Sequence, residues 1–210
     1  ISGDQRIAID QIFDPRRDIK AIISDLEKIT DKPYGAALGE WAAKTAETMQ
    51  QRSPTSVLVA MKQMRDGRAW DIAETFRREH VIAGRFMAHP DFVEGVTARL
   101  VRRQKERPNW QPGSFEEVSA EAVDEFFSGE PSLQLLTQGE RSKYKEYPHQ
   151  RITGLPTEAE FASAVREGLS VEEVMDRFAE STNDKVGVQE KLKEYMERRE
   201  RARVLGIKGY

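Results

Sequence analysis

The sequence contains no cysteine, only three histidines, and no apolar run that approaches the length of a membrane span. The first absence excludes structural disulfides, thiolate metal sites and nucleophilic cysteine chemistry, and it fits a reducing or matrix compartment. His80, His89 and His149 never fall three or four residues apart, so no two share a helix face as ligands and no metal site is expected. Without an apolar span, no membrane partner is expected either. Positive charge is not in excess: a net charge of −3 over 210 residues argues against a chain that holds nucleic acid by its overall field. Nucleophile-elbow, P-loop and dinucleotide glycine motifs are lacking as well. What is present is polar for a globular domain, 38% hydrophobic and 33% charged, which suggests exposed helices leaning on a larger body.

The periodicity is helical throughout, and no strand pattern of comparable strength occurs. Asp14-Pro15 reads as a helix start, because Asp accepts from free first-turn amides and Pro lacks an N–H that would be unpaired there. Ile19, Ile22, Ile23, Leu26 and Ile29 follow as one stripe, broken by Lys32-Pro33. Leu38, Trp41, Ala42, Thr45 and Met49 mark a second helix running to about Arg52, whose start Gly35 and Gly39 weaken. Ser53-Pro54 repeats the cap-then-proline device. Val57, Leu58, Met61 and Met64 are expected to face inward there, with Gly67 closing the helix in a left-handed conformation. A longer helix from near Trp70 places Ile72, Phe76, Ala83, Phe86 and Met87 on one side and ends at His89-Pro90. The next is expected to bury Phe92 or Val93, Val96 and Leu100. Trp110 should anchor the loop 107–113. Capping boxes are expected at Ser114 to Glu117 and at Ser119, leading to Phe126-Phe127.

Residues 1–127 are therefore read as one packed unit and 128–156 as an extended linker with prolines at 131, 148 and 156, pinned by Leu133, Leu135, Leu136 and Tyr147. Residues 157–210 form a helical tail. Within the tail, Thr157 to Glu160 and Ser170 to Glu173 are capping boxes heading helices that bury Phe161, Val165, Val174, Met175 and Phe178. A last helix from about Gly187 to Leu205 turns Leu192, Tyr195 and Met196 inward and carries Arg198, Arg199, Arg201 and Arg203 on a charged face.

Few residues invite chemistry. Glu79 and His80 are adjacent on a helix and point about 100 degrees apart, so they do not converge on one atom. His80 reads as a partly buried helix residue satisfied by a neighbour, and His89 as a helix-end residue favoured by the dipole. Glu94 in a first turn suits the helix dipole, and Gly95 permits close approach. Arg99, Arg102, Arg103, Lys105 and Arg107 are the best local candidate for holding phosphate, because a guanidinium fork matches phosphate oxygens; a solvated helix end is the plain alternative.

Three segments carry a family resemblance: Ser53-Pro54-Thr55-Ser56, His89-Pro90-Asp91-Phe92-Val93-Glu94-Gly95-Val96-Thr97-Ala98-Arg99-Leu100, and Arg107-Pro108-Asn109-Trp110. Together they resemble the C-terminal helical portion of the 3-hydroxyisobutyryl-CoA hydrolases of the crotonase superfamily. The resemblance runs from about Ile9 to Phe127. Tyr147-Pro148-His149, Leu155-Pro156-Thr157-Glu158 and Gly187-Val188-Gln189-Glu190-Lys191 look like extensions of fungal members. The chain opens at Ile1 without Met, and the expectation is a fragment.

The resemblance implies a mainly α fold, the helical C-terminal region of a crotonase-like α+β fold followed by a helical tail. It implies a mitochondrial matrix parent that hydrolyses the 3-hydroxyisobutyryl-CoA thioester in valine catabolism. This segment would cover or complete the coenzyme A site, with no catalytic residue of its own, no tightly bound cofactor, and no activity alone. Arg103, with Arg102 beside it, takes the place where a basic residue lies near the CoA phosphates, although the hydrolases commonly carry an Asp-Lys pair there. The main partner implied is an N-terminal crotonase core. Relatives in fungal mitochondrial ribosomes imply an alternative: a structural protein of the small subunit, with Arg198, Arg199, Arg201 and Arg203 contacting ribosomal RNA or neighbouring proteins.

Overall fold

A computed structural model describes residues 1–14, 16–29, 36–136 and 154–207. The described residues are mainly helical, with no strand among them, as the periodicity predicts. They fall into two compact units. The larger comprises residues 12–145; the smaller joins residues 1–11 to residues 146–210. The first eleven residues, read from the sequence as part of the 1–127 segment, thus pack with the tail. Much of the expected linker (137–153), the Lys32-Pro33 break, Pro15, Gly35 and the Tyr147-Pro148-His149 motif lie outside the described residues.

In the smaller unit, α1 (Gly3–Ile12) opens on a Ser2/Gln5 exchange in which each side chain accepts from the other's backbone N–H, and it buries Ile7 and Ala8. In the larger unit, α2 (Ile19–Lys28) begins four residues later than Asp14-Pro15 suggested. Asp18, not Asp14, caps it, accepting from Lys20 N–H at 2.7 Å. Asp14 instead grips Arg16, whose guanidinium and N–H both reach its carboxylate. The buried stripe is Ile19, Ile22, Ile23 and Leu26, as spaced in the sequence, and it packs against α3 (Ala36–Gln51) through Leu38, Ala42 and Ala46.

Ser53 caps α4 (Pro54–Asp66), accepting from Ser56 N–H with Pro54 at the first helical position. Gly67 does not adopt a left-handed conformation; its φ is −62° and the chain continues as a 3-10 turn, Gly67–Ala69. Asp71 caps α5 (Ile72–Ala88). Along this helix Ile82 is buried with Phe86 partly buried beside it, while Ala73 is buried on the opposite side, about 180° round the helix; of the expected stripe Phe86 packs inward, whereas Ile72, Phe76, Ala83 and Met87 are exposed. The choice is made by tertiary packing: Ile82 meets Val59, Val123 and Phe126, and the Phe86 and Phe126 rings lie 4.6 Å apart. Met64, expected inside, is likewise exposed.

His89 joins α5 to α6 (Pro90–Val96), which continues into a π turn, Thr97–Val101. Here too the expected inward face is reversed. Phe92 is 47% exposed and Leu100 71%, while Asp91 and Ala98 are buried. The Ser114/Glu117 capping box does not form; Glu117 instead accepts from Gly113 N–H ahead of a 3-10 turn, Phe115–Glu117. Ser119 does cap α7 (Ala120–Glu125), which delivers Val123 and Phe126 to the core.

The tail follows its sequence pattern closely. Both capping boxes close, at Thr157/Glu160 heading α8 (Glu158–Arg166) and at Ser170/Glu173 heading α9 (Val171–Thr182). Together with α10 (Val188–Val204) these helices enclose Phe161, Ala164, Val174, Phe178, Val188, Leu192 and Tyr195, with Phe161 edge-on to Phe178 at 4.8 Å.

Burial sets a clear contrast for mutation. Phe161→Ala removes a ring with no solvent exposure and should cost about 3–5 kcal/mol, read by urea denaturation. Phe92→Ala, at a half-exposed site, should cost about 1 kcal/mol or less.

Acid sensitivity follows from ion pairs in the larger unit. Arg17, then Lys28, hold the Asp25 carboxyl below its ordinary range, and Lys20 does the same for Glu116. A depressed carboxyl favours the folded state at pH values above its unfolded pKa, and that contribution disappears as pH drops through the folded value. Melting temperature should therefore be flat from pH 7 to about 5 and fall below about pH 4, with a shallower fall in Lys20→Ala.

Candidate functional site

The three sequence segments that carry the resemblance converge on one carboxylate. Asp91, in the first turn of α6 and nearly fully buried, accepts from Ser53 Oγ–H at 2.6 Å and from Gln111 N–H at 2.7 Å. Its own N–H donates to His89 Nδ1, and Ser53 Oγ at the same time accepts from Ser56 N–H. One buried side chain thus joins the start of α4, the start of α6 and the loop 104–113.

That loop is held by further bonds. Trp110 Nε1–H donates to Gln51 O at 3.0 Å, Asn109 N–H to Glu94 Oε1 at 2.8 Å, and Arg107 reaches both Gln50 O and Gly113 O. The Trp110 ring lies flush on Gly95, where an added Cβ would meet ring carbons at 3.1 and 3.3 Å; only glycine leaves room. Glu94 and Gly95 are accordingly scaffold residues, one holding an amide and the other admitting a ring.

Beside this knot lies a groove of about 550 Å³ with apolar walls from Val57, Ala60, Phe86, Phe92, Val96 and Trp110, and with Arg52 and Arg99 among its lining. Ser53, Asp91 and His89 resemble a catalytic relay in composition but not in order. The hydroxyl bonds directly to the carboxylate, and the imidazole Nδ1 accepts from a backbone amide, so no base stands between nucleophile and acid. Glu79 is engaged by Gln63 at 3.0 Å, and His80, expected to be partly buried, is exposed. Among the described residues no cluster of His, Asp and Glu is arranged to hold a metal ion, and no helix is long and apolar enough to cross a membrane.

The basic run separates into two sets. Arg99 donates to Gln104 O and Lys105 O, and Arg107 braces the loop as described. Arg102 and Arg103 are exposed, and Arg103 adopts a left-handed φ of 53° that ends the π turn, with Gln104 N–H returning to Ala98 O at 3.0 Å. In the tail, Arg198 is not on a solvated face. It is 3% exposed and pairs with Glu158 at 2.5 Å and Glu194 at 3.2 Å. Arg201 pairs with Asp4 and Arg203 with Glu200, while Arg199 is half-buried. The acids at positions 194 and 200 meet Arg198 and Arg203 as helix neighbours three or four apart, whereas Glu158 and Asp4 reach Arg198 and Arg201 from other helices. The two described tail motifs touch each other: Lys191 Nζ donates to Pro156 O at 2.6 Å, and Gly187, at φ 91°, abuts Leu155.

Residues 2–127 match the enoyl-CoA hydratase/isomerase family, and the chain belongs to that family. Its relatives fall into two groups. The chain is 35% identical to the small ribosomal subunit protein mS47 of Neurospora crassa over 202 residues, covering 94% of this chain and 39% of that protein. It is 32% identical over 57% of its length to a mitochondrial 3-hydroxyisobutyryl-CoA hydrolase of Dictyostelium discoideum, and 33% identical over 60% to that of Danio rerio. These alignments take in 29% and 30% of the two hydrolases, so the chain spans well under half the length of the relatives it matches.

The knot makes two substitutions informative. Asp91→Ala strands the Ser53 hydroxyl and the Gln111 amide and should cost about 3 kcal/mol, from two hydrogen bonds to a buried charge. Gly95→Ala should displace Trp110, costing about 1–3 kcal/mol and shifting its fluorescence emission to the red.

Proposed function

We propose that the chain is part of a structural protein of the mitochondrial small ribosomal subunit, built on a crotonase-like fold, and not part of a working thioester hydrolase. The observation that carries this reading is the reach of the similarity. The mS47 alignment extends over nearly the whole chain and so takes in the three-helix tail, whereas the Dictyostelium and zebrafish hydrolase alignments cover no more than 125 residues. A second fungal protein of the same name, from Schizosaccharomyces pombe, is 37% identical over 75 residues. The polar groups of the signature segments support the same reading, since Ser53, Asp91, His89 and Glu94 are all occupied in holding backbone and one another.

In this reading the protein is mitochondrial. The exposed apolar side chains Ile72, Phe76, Met87, Val93 and Leu100 form the surface that a crotonase body covers, and the tail adds a second unit for assembly. Hydrolysis of 3-hydroxyisobutyryl-CoA in valine catabolism, with Arg102 and Arg103 on the coenzyme A phosphates, is the competing reading; the hydrolase alignments over the larger unit favour it.

Sucrose-gradient sedimentation of mitochondrial lysate separates the two. The tagged protein should travel with small subunits at low salt and leave them at high salt, and Phe161→Ala, by loosening the tail core, should reduce the co-sedimenting fraction several-fold. Recovery of the wild-type protein only at the top of the gradient, together with thioesterase activity of the purified full-length protein, would reverse the assignment.

A further inference from the structure

We infer that the turn carrying Arg102, Arg103 and Lys105 is a phosphate-binding surface for an RNA backbone. The inference rests on the ribosomal reading above and gives it a point of contact distinct from the arginine-rich tail helix.

Charge distribution is the first observation. Between residues 99 and 107 there are five cations and one acid, in a chain whose net charge is −3. Many cations elsewhere are matched by the chain's own carboxylates: Arg17 pairs with Asp25, Lys20 with Glu116, Lys62 with Asp66 and Asp124, and Arg198, Arg201 and Arg203 each with an acid. Others, such as Lys44, Arg77, Lys193 and Arg199, have no ion pair among the described residues but are spread along helices. Arg102, Arg103 and Lys105 are exposed and make no side-chain hydrogen bond or ion pair among the described residues. A polyanion meets three such cations within four residues of chain here.

The second observation is that the turn is rigidly built from the other two cations. Arg99 clamps the carbonyls of Gln104 and Lys105, within the turn that carries the free side chains. Arg107 ties the following strand of the loop to Gln50 and Gly113. Arg102 N–H bonds Thr97 O at 2.8 Å, and Arg103 takes the left-handed conformation that turns the chain away from the helix. Arginine in that conformation costs free energy that glycine avoids and asparagine reduces. A fixed backbone presents three free cations with little ordering left to do on binding, and planar guanidinium forks suit phosphate oxygens.

The third observation concerns the kind of phosphate. Arg102, Arg103 and Lys105 line neither the groove beside Trp110 nor the second cavity near Lys62. An open convex turn suits a run of backbone phosphates, which needs no enclosing walls, better than a single nucleotide, which needs a base pocket.

The test uses the purified full-length protein and a fluorescein-labelled single-stranded RNA, read by anisotropy across a salt series, with coenzyme A and polyglutamate as competitors. The variant Arg102→Gln, Arg103→Asn, Lys105→Gln removes three charges while keeping a residue that tolerates the left-handed turn; its melting temperature reports folding. The expected result is at least about tenfold weaker RNA binding and a salt slope smaller by about 2. A control variant, Lys193→Gln with Arg199→Gln on α10, should leave both unchanged. An unaltered affinity and slope in the triple variant overturns the inference. So does displacement of RNA by millimolar coenzyme A, which would assign the turn to a nucleotide, or by polyglutamate at equal charge, which would assign it to an acidic protein. The two readings fail separately: a triple variant that still co-sediments with small subunits but binds RNA normally removes this inference alone, and a wild-type chain that never co-sediments removes the ribosomal reading.

Discussion

The larger unit depends on the burial of one acidic side chain. Asp91 sits almost out of solvent, where an unpartnered carboxylate is strongly disfavoured, and it is tolerated because a hydroxyl and an amide donate to it from two other parts of the chain. Its place in the first turn of α6 adds the favourable end of the helix dipole. Hydrogen bonds to a buried charge are worth about 1.5–3 kcal/mol each, more than an average contact, and these span 38 and 20 residues of sequence. Once they are made, the position of the loop 104–113 is set. Trp110 then falls on Gly95, and the groove has a wall.

This arrangement explains how one segment can serve proteins with different tasks. Several of the residues by which it resembles the crotonase superfamily, Ser53, Asp91, Glu94, Gly95 and Trp110 among them, hold helices to a loop. What the segment offers outward is different: a stripe of apolar side chains on α5 and α6, and a turn of uncompensated positive charge. A scaffold whose recognisable features face inward leaves its outer surface open to alteration without loss of the fold.

Much of this was legible beforehand where local rules suffice. The stripe from Ile19 to Leu26, the Ser53-Pro54 cap, both tail capping boxes and the tail core from Phe161 to Tyr195 follow from periodicity and cap chemistry alone. Local rules failed where a helix had two apolar faces. Along α5, Ile72, Phe76, Phe86 and Met87 share one stripe, yet only Phe86, with Ile82 at its edge, meets the cluster of Val59 and Phe126. The same holds for Phe92 and Leu100, displaced from the interior because a charged residue, Asp91, takes the buried position. Nothing in the one-dimensional pattern announces that an aspartate will be inside. Its placement beside proline, in a segment shared with the family, was the only available sign. Arg198 departs in the opposite sense: spacing puts it on the charged face of α10, yet it is buried because Glu158, from another helix, meets it.

The smaller unit has a discontinuous make-up. Asp4 and Arg201 pair across 197 residues, with the whole of the larger unit threaded between them. During synthesis, residues 12–145 can condense as soon as they emerge, whereas α1 must wait for α10 before its own apolar side is covered. Closing so wide a loop is entropically slow, and contacts of this separation form late. The apolar side of α1 is therefore open to chaperones and to misassembly until α10 has been made.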